Sequence, residues 1–168
     1  MATGDAYVNP GTEIVFADTG GDVVITLDEN VAAADGQKSA AWTLAAAWTT
    51  ARPTLYYWTA KTFWAAGAVV GETLDLYLAE ADSAGNYAGG VTAGDGAFTD
   101  EDALQLMTKI GAVSCTNATE EQEYATGWCT IGSNKAVLVA WNSSAAATLH
   151  ATHANHRVAF TPMPLAVQ

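Results

Sequence analysis

Turn signals interrupt this chain too often for ordinary helices. NPG starts at position 9, GGD at 20, DG at 35, RP at 52, AG at 66, SAGN at 83, GG at 89, GDG at 94 and GSN at 132. β-branched and aromatic runs fill the gaps, the pattern of many short strands joined by tight turns. Strands are predicted near 12–17, 22–27, 39–46, 54–64, 73–79, 107–115, 124–131, 136–141, 148–153 and 156–161. In TLDLYLAE, Leu74, Leu76 and Leu78 share one face, and Thr73, Asp75, Tyr77 and Ala79 share the other. In KAVLVAWN, Val137, Val139 and Trp141 fall together. One short helix is predicted near 100–106. There Thr99 and Asp102 have capping-box spacing, and Asp100 and Glu101 suit the positive end of a helix dipole. A length of 168 residues is one ordinary domain. The expected fold is therefore all-β: a single antiparallel β-sandwich of jelly-roll type over 1–168, with extended arms at 1–11 and 162–168.

The stretch TLYYWTAKTFWAAG, from Thr54, packs five aromatics around a single charge, Lys61. On a strand, Tyr56, Trp58, Ala60, Thr62 and Trp64 share one face, and Leu55, Tyr57, Thr59, Lys61 and Phe63 the other. A strand apolar on both faces is either central and covered, or part of an interface. Substrate clefts pair aromatics with convergent polar groups, and this stretch offers only Lys61 and hydroxyls. The reading is core or interface. Leu55 and Phe63 are the better core residues, so the Tyr56/Trp58/Trp64 face is expected outward.

The chain carries 18 acidic and 6 basic residues, a net charge of -12. Lys38, Arg52, Lys61, Lys109, Lys135 and Arg157 are scattered singly along it, which disfavours nucleic acid and anionic membranes as partners. The acidity serves solubility through self-repulsion, or adaptation to a salty medium. No apolar run approaches the ~20 residues that span a bilayer, and MATGDAYVNPG resembles no secretory signal. Synthesis in a cytoplasm is expected, which leaves the sequons at Asn117 and Asn142 without glycosylation.

Cys115 and Cys129 lie 14 positions apart without CxxC spacing, which excludes a four-cysteine zinc site. They are candidates either for buried thiols or for a disulfide across a hairpin. HATHANH spaces His150, His153 and His156 by three, a zinc-triad spacing on a helix, but alternation on a strand sends the first two to opposite faces. There is no GxSxG elbow, phosphate loop or dinucleotide fingerprint, and DSAGNYAGG lacks the ligands of an EF-hand. No catalytic residue, metal site or cofactor is expected.

A run of signatures resembles a family of small tailed-phage virion structural proteins. They are GTEIVFADTGGDVVITL (11–27), WTAKTFWAAGAVVGETLDLYLAEAD (58–82), LMTKIGAV (106–113), VLVAWNSSAA (137–146) and HRVAFTPMPLAVQ (156–168). The resemblance covers most of the chain, and its signatures are structural rather than catalytic. It implies a non-enzymatic β-sandwich component of a virion, expected to be a capsid decoration (cement) protein on the outer capsid surface. The partners implied are the major capsid protein or other virion proteins, together with copies of itself in a small homo-oligomer, a trimer favoured. Contact is expected from Tyr56, Trp58 and Trp64, from Tyr7 and Val8 in the N-terminal arm, and from Pro162, Met163, Pro164 and Leu165. Trp42, Trp48 and Trp64 depart from the family pattern and mark where an interface particular to this chain is expected. The alternatives are a neck, tail or fibre protein, and a carbohydrate-binding module with two or three coplanar, exposed tryptophans.

Overall fold

The computed structural model describes residues 6–8, 10–29, 31–43, 55–65, 67–116, 122–145, 147–152, 154, 156–163 and 165–167. Its strands are β1 (Ala6–Val8), β2 (Ile14–Phe16), β3 (Gly36–Lys38), β4 (Trp42–Thr43), β5 (Leu55–Phe63) and β6 (Thr73–Glu80). They continue with β7 (Gly96–Phe98), β8 (Thr108–Ser114), β9 (Gln122–Thr130), β10 (Lys135–Asn142), β11 (Arg157–Pro162) and β12 (Leu165–Val167). One sheet runs β2-β11-β5-β9. The other runs β7-β3-β10-β6-β8, with β4 also on β10. Each pairing within them is antiparallel. With β1, β4, β7 and β12 set aside, eight strands remain. In chain order, one sheet then reads first-eighth-third-sixth and the other second-seventh-fourth-fifth. That is jelly-roll connectivity.

The alternation read from sequence sets what lies between the sheets. Leu74, Leu76 and Leu78 point inward with Leu138, Phe16 and Phe160, all fully buried. Each such side chain contributes about 1.5–3 kcal/mol through burial. The outer face of the β6/β10 sheet is buried too. Val137, Val139 and Trp141 lie beneath the excursion 81–107, which supplies Val91, Phe98 and Leu104 as a second small core. Phe98 meets Trp141 edge-on, with ring centroids 6.1 Å apart. This is why KAVLVAWN is apolar on both faces. Gly36 is required beside that tryptophan, because a Cβ there would lie 2.9 Å from Trp141 Cε3.

Several expectations change. The strand expected over 22–27 holds only a bridge between Phe16 and Val23, although Val23, Ile25 and Leu27 are buried in alternation. Its Thr26 N–H donates to Asp95 Oδ1 at 2.8 Å, so a side chain replaces the neighbouring strand. Among the described residues, 148–152 likewise hold only a bridge between Trp64 and Leu149. The arms are not simply extended: β1 pairs with β12, Tyr7 opposite Ala166 and Val8 opposite Leu165. The helix near 100–106 is a short 3-10 turn, Asp102–Leu106. Asp100, rather than Thr99, caps it, its Oδ1 accepting from Ala103 N at 3.2 Å.

Candidate interaction surface

Strand β5 lies between β11 and β9, and one of its faces is sealed. Tyr56, Trp58, Ala60, Thr62 and Trp64 point into the sandwich and are buried, Trp58 at 3% exposure. The expected face is therefore inverted, and Tyr56, Trp58 and Trp64 are core residues rather than contacts. The reason lies in two glycines on other strands. A Cβ at Gly111 of β8 would sit 2.2 Å from Trp58 Cζ2, and one at Gly127 of β9 would sit 2.7 Å from the same indole. Their missing side chains form the slot that Trp58 fills. Tyr56 packs edge-on against Trp42, ring centroids 5.3 Å apart, and Trp42 packs in turn against Phe16 and Phe160. Trp42 and Trp64, expected at an interface, are thus internal. Trp48 and Pro164 lie outside the described residues. Pro162 is buried on its own chain, where its carbonyl accepts from Gly11 N. Met163 is half-buried.

The outward residues of this sheet form a different surface. Cross-strand register places Tyr57 opposite Trp128, Thr59 opposite Thr126 and Lys61 opposite Tyr124. On the other side, Lys61 faces Arg157 and Tyr57 faces Thr161. Trp128 is 55% exposed and Tyr124 67%. Trp128 and Tyr57 stack with centroids 5.1 Å apart at an interplanar angle of 58°. The exposed apolar side chains elsewhere, Val24, Leu106 and the loop pair Val69–Val70, have no comparable aromatic company. Tyr124 and Trp128 were not singled out from sequence, although YATGW places them on one face by the same period of two.

No protein-family model matches the sequence, and no curated protein matches it. Among solved structures, the chain is similar to the crystallised enzymatically active domain of tailspike protein 4 of bacteriophage CBA120. The identity is 12%, the TM-score 0.24, and the alignment covers 99% of this chain and 20% of that one.

Charge is distributed unevenly over the fold. The outward face of the β5 sheet carries Lys61, Arg157 and Glu13, a local balance of +1 in a chain of -12. Arg157 and Glu13 form an ion pair. By contrast, residues 80–102, which include most of the cover on the opposite sheet, hold six acids and no Lys or Arg. Beside Lys61 and Arg157, a cleft of about 400 Å³ opens between the loop after β2 and the start of β11. A larger cleft of about 580 Å³ lies between loops 81–85 and 132–135. The carboxylates at its edge are spent on structure. Glu80 accepts from the N–H groups of Gly132 and Ser133, and Asp82 from those of Ala84 and Asn86.

The remaining polar clusters are also committed. Asp75 accepts from Lys109 at 2.5 Å and from Ser143 at 3.1 Å, with the Lys109 ammonium over the Tyr77 ring. The hydrogen bond to Asp75 raises the Lys109 pKa, so the amine stays protonated and cannot serve as a base for Ser143. His156 accepts from Phe63 N at Nδ1 and donates from Nε2 to His150 O, which uses both ring nitrogens in the backbone. His153 lies outside the described residues. Among the described residues, no group of three or more His, Cys, Asp or Glu is placed to hold a metal ion, and no helix is long and apolar enough to cross a membrane. Asn142, read as a sequon, is fully buried and donates to Val31 O and Ala147 O.

Cys115 and Cys129 are buried thiols rather than a disulfide. Cys115 directly follows β8, while Cys129 lies near the C-terminal end of β9, opposite Tyr56. The expected hairpin does not form: β8 pairs with β6 and β9 with β5, so the two cysteines lie on strands of different sheets. Burial, and then the nearby Glu80 charge, push the Cys129 thiol up to about 12. Between the ordinary value of 9.0 and about 12, the unfolded chain ionises while the folded chain does not, so this residue's contribution to stability is lost as pH rises through that window. At pH 8 in native buffer, iodoacetamide should leave Cys129 unmodified for hours, and in denaturant it should label it within minutes. Rapid native labelling, read by peptide mass spectrometry, would contradict this burial.

Proposed function

We propose that this chain is a non-enzymatic virion structural protein, a decoration protein that docks on the outer capsid surface through the outward face of its β5 sheet. The observation that carries the reading is the Tyr57–Trp128 stack, with Tyr124 beside it, open to solvent on a chain whose other described tryptophans are all buried. Exposed aromatics on a flat, nearly neutral face are the composition of an interface centre. The resemblance to tailed-phage virion proteins supports the setting. The acidic cover on the opposite sheet supports an orientation with that side toward solvent.

Size argues for several copies acting together. Nine residues of β5 span about 30 Å and four strands about 14 Å between outer axes, a footprint of roughly 420 Å² before side-chain relief. A specific interface buries about 800 Å² per partner. One sheet face is thus modest, and a small homo-oligomer gains the missing strength through effective concentration. The carbohydrate-module alternative required two or three coplanar open tryptophans. Among the described residues only Trp128 is open, and its aromatic neighbour is tilted by 58°.

The test is retention. Purified protein is mixed with particles lacking it and pelleted. Saturable co-sedimentation at a fixed ratio per particle is expected, and a chain that stays in the supernatant at micromolar concentration would remove the proposal.

A further inference from the structure

The cleft beside Lys61 raises a question that the docking face alone does not answer. Lys61 and Arg157 are direct cross-strand partners, and like charges in that position repel. Glu13 answers Arg157. No ion pair answers Lys61 among the described residues, although the chain has three acids for each base. The cleft is lined by Val15, Thr19, Lys61, His156 and Arg157 among others, and no carboxylate lines it. His156 turns both ring nitrogens to the backbone, Nδ1 toward Phe63 N and Nε2 toward His150 O. What remains is one uncompensated ammonium in a small, partly apolar recess, at the end of an aromatic row that runs through Tyr124.

We propose that this cleft receives a carboxylate, an Asp or Glu side chain of the capsid protein on which the β5 sheet docks; this rests on the docking reading above. Charge complementarity selects the occupant. A single carboxylate neutralises Lys61 and shares Arg157 with Glu13, and the adjoining Tyr57–Trp128 stack takes the apolar surface around it. A phosphate monoester, at nearly two charges, would be repelled more strongly than a carboxylate by Glu13 and by the field of a chain at -12, and the run of anions in a nucleic acid backbone needs clustered cations that this face lacks. The partner's acid supplies charge, and the aromatics supply area.

The experiment compares full-length wild type with Lys61→Glu, Lys61→Gln and Lys135→Glu. The last makes the same charge change as the first at the start of β10 on the other sheet. Retention on particles is measured from 50 to 500 mM NaCl, with melting curves for each variant. Lys61→Glu should weaken retention at least tenfold at low salt and Lys61→Gln three- to fivefold, while Lys135→Glu matches wild type. The wild-type advantage should shrink as salt rises. If Lys61→Glu fails to fold, Lys61→Gln alone carries the comparison. Equal retention of the Lys61 and Lys135 variants overturns the carboxylate while leaving docking intact, and stronger retention of Lys61→Glu overturns it in favour of a basic partner surface. If inorganic phosphate displaces wild type far better than acetate at matched ionic strength, the cleft is a phosphate site and the proposal fails. Wild type that never binds particles ends the docking reading itself.

Discussion

Trp58→Ala is expected to cost about 3–5 kcal/mol of folding free energy, the range for emptying a buried aromatic site. A domain of this kind holds about 5–15 kcal/mol in total, so the variant should be marginal or unfolded at 37 °C. The size of the effect follows from the slot between Gly111 and Gly127, where backbone on two sides fixes the indole and neither strand can close over the void. The reverse change is as severe in kind. Gly111→Val would drive a side chain into Cζ2 from a Cβ position already 2.2 Å away, and overpacking commonly costs about 1–3 kcal/mol or more. Trp58→Phe should be much milder, because it keeps most of the ring and removes an indole N–H that is buried without a hydrogen-bond partner among the described residues. Urea denaturation of the three variants tests this. A Trp58→Ala midpoint within error of wild type would mean the slot is not where the structure puts it.

Trp128→Ala should do the opposite. It should weaken particle retention by about 2–4 kcal/mol, as truncation of a hot-spot aromatic does, or about 30- to 1,000-fold in affinity. The fold should lose less than about 1 kcal/mol, the scale of a cross-strand pair with Tyr57. Tyr57→Ala should follow it with a smaller loss, because its ring is half-covered by the partner it stacks on. Melts and pelleting on the same preparations separate the two effects. If Trp128→Ala unfolds the chain or leaves retention unchanged, the open stack is not the docking centre.

These two tryptophans show what the sequence could and could not tell. Period-two alternation divided β5 into its two faces correctly, but it carries no sign. Leu55 and Phe63 looked like the core side because they lack polar atoms, whereas the inward side was settled by Gly111 and Gly127, some 50 and 70 positions along the chain. A glycine in a strand announces a close approach without naming what approaches. The jelly roll itself was legible from turn spacing and strand number. The three-residue strands β3 and β7 were not, because three residues are too few to show a period. A strand was expected over 22–27, and Val23, Ile25 and Leu27 are buried in alternation there, yet no ladder formed, since Asp95 supplies the acceptor that a strand would have. The pairing of Lys61 with Arg157 was invisible for the same reason that most strand pairing is. Residues 96 positions apart become neighbours only through register.

The most direct test of the account is a single-particle reconstruction of the virion at side-chain resolution. It should place several copies of this chain on the outer capsid surface, with Tyr57, Tyr124 and Trp128 against the shell and the acidic cover 81–107 facing solvent. Density that shows the β5 sheet open to solvent and the cover buried, or no copy on the capsid at all, would contradict it.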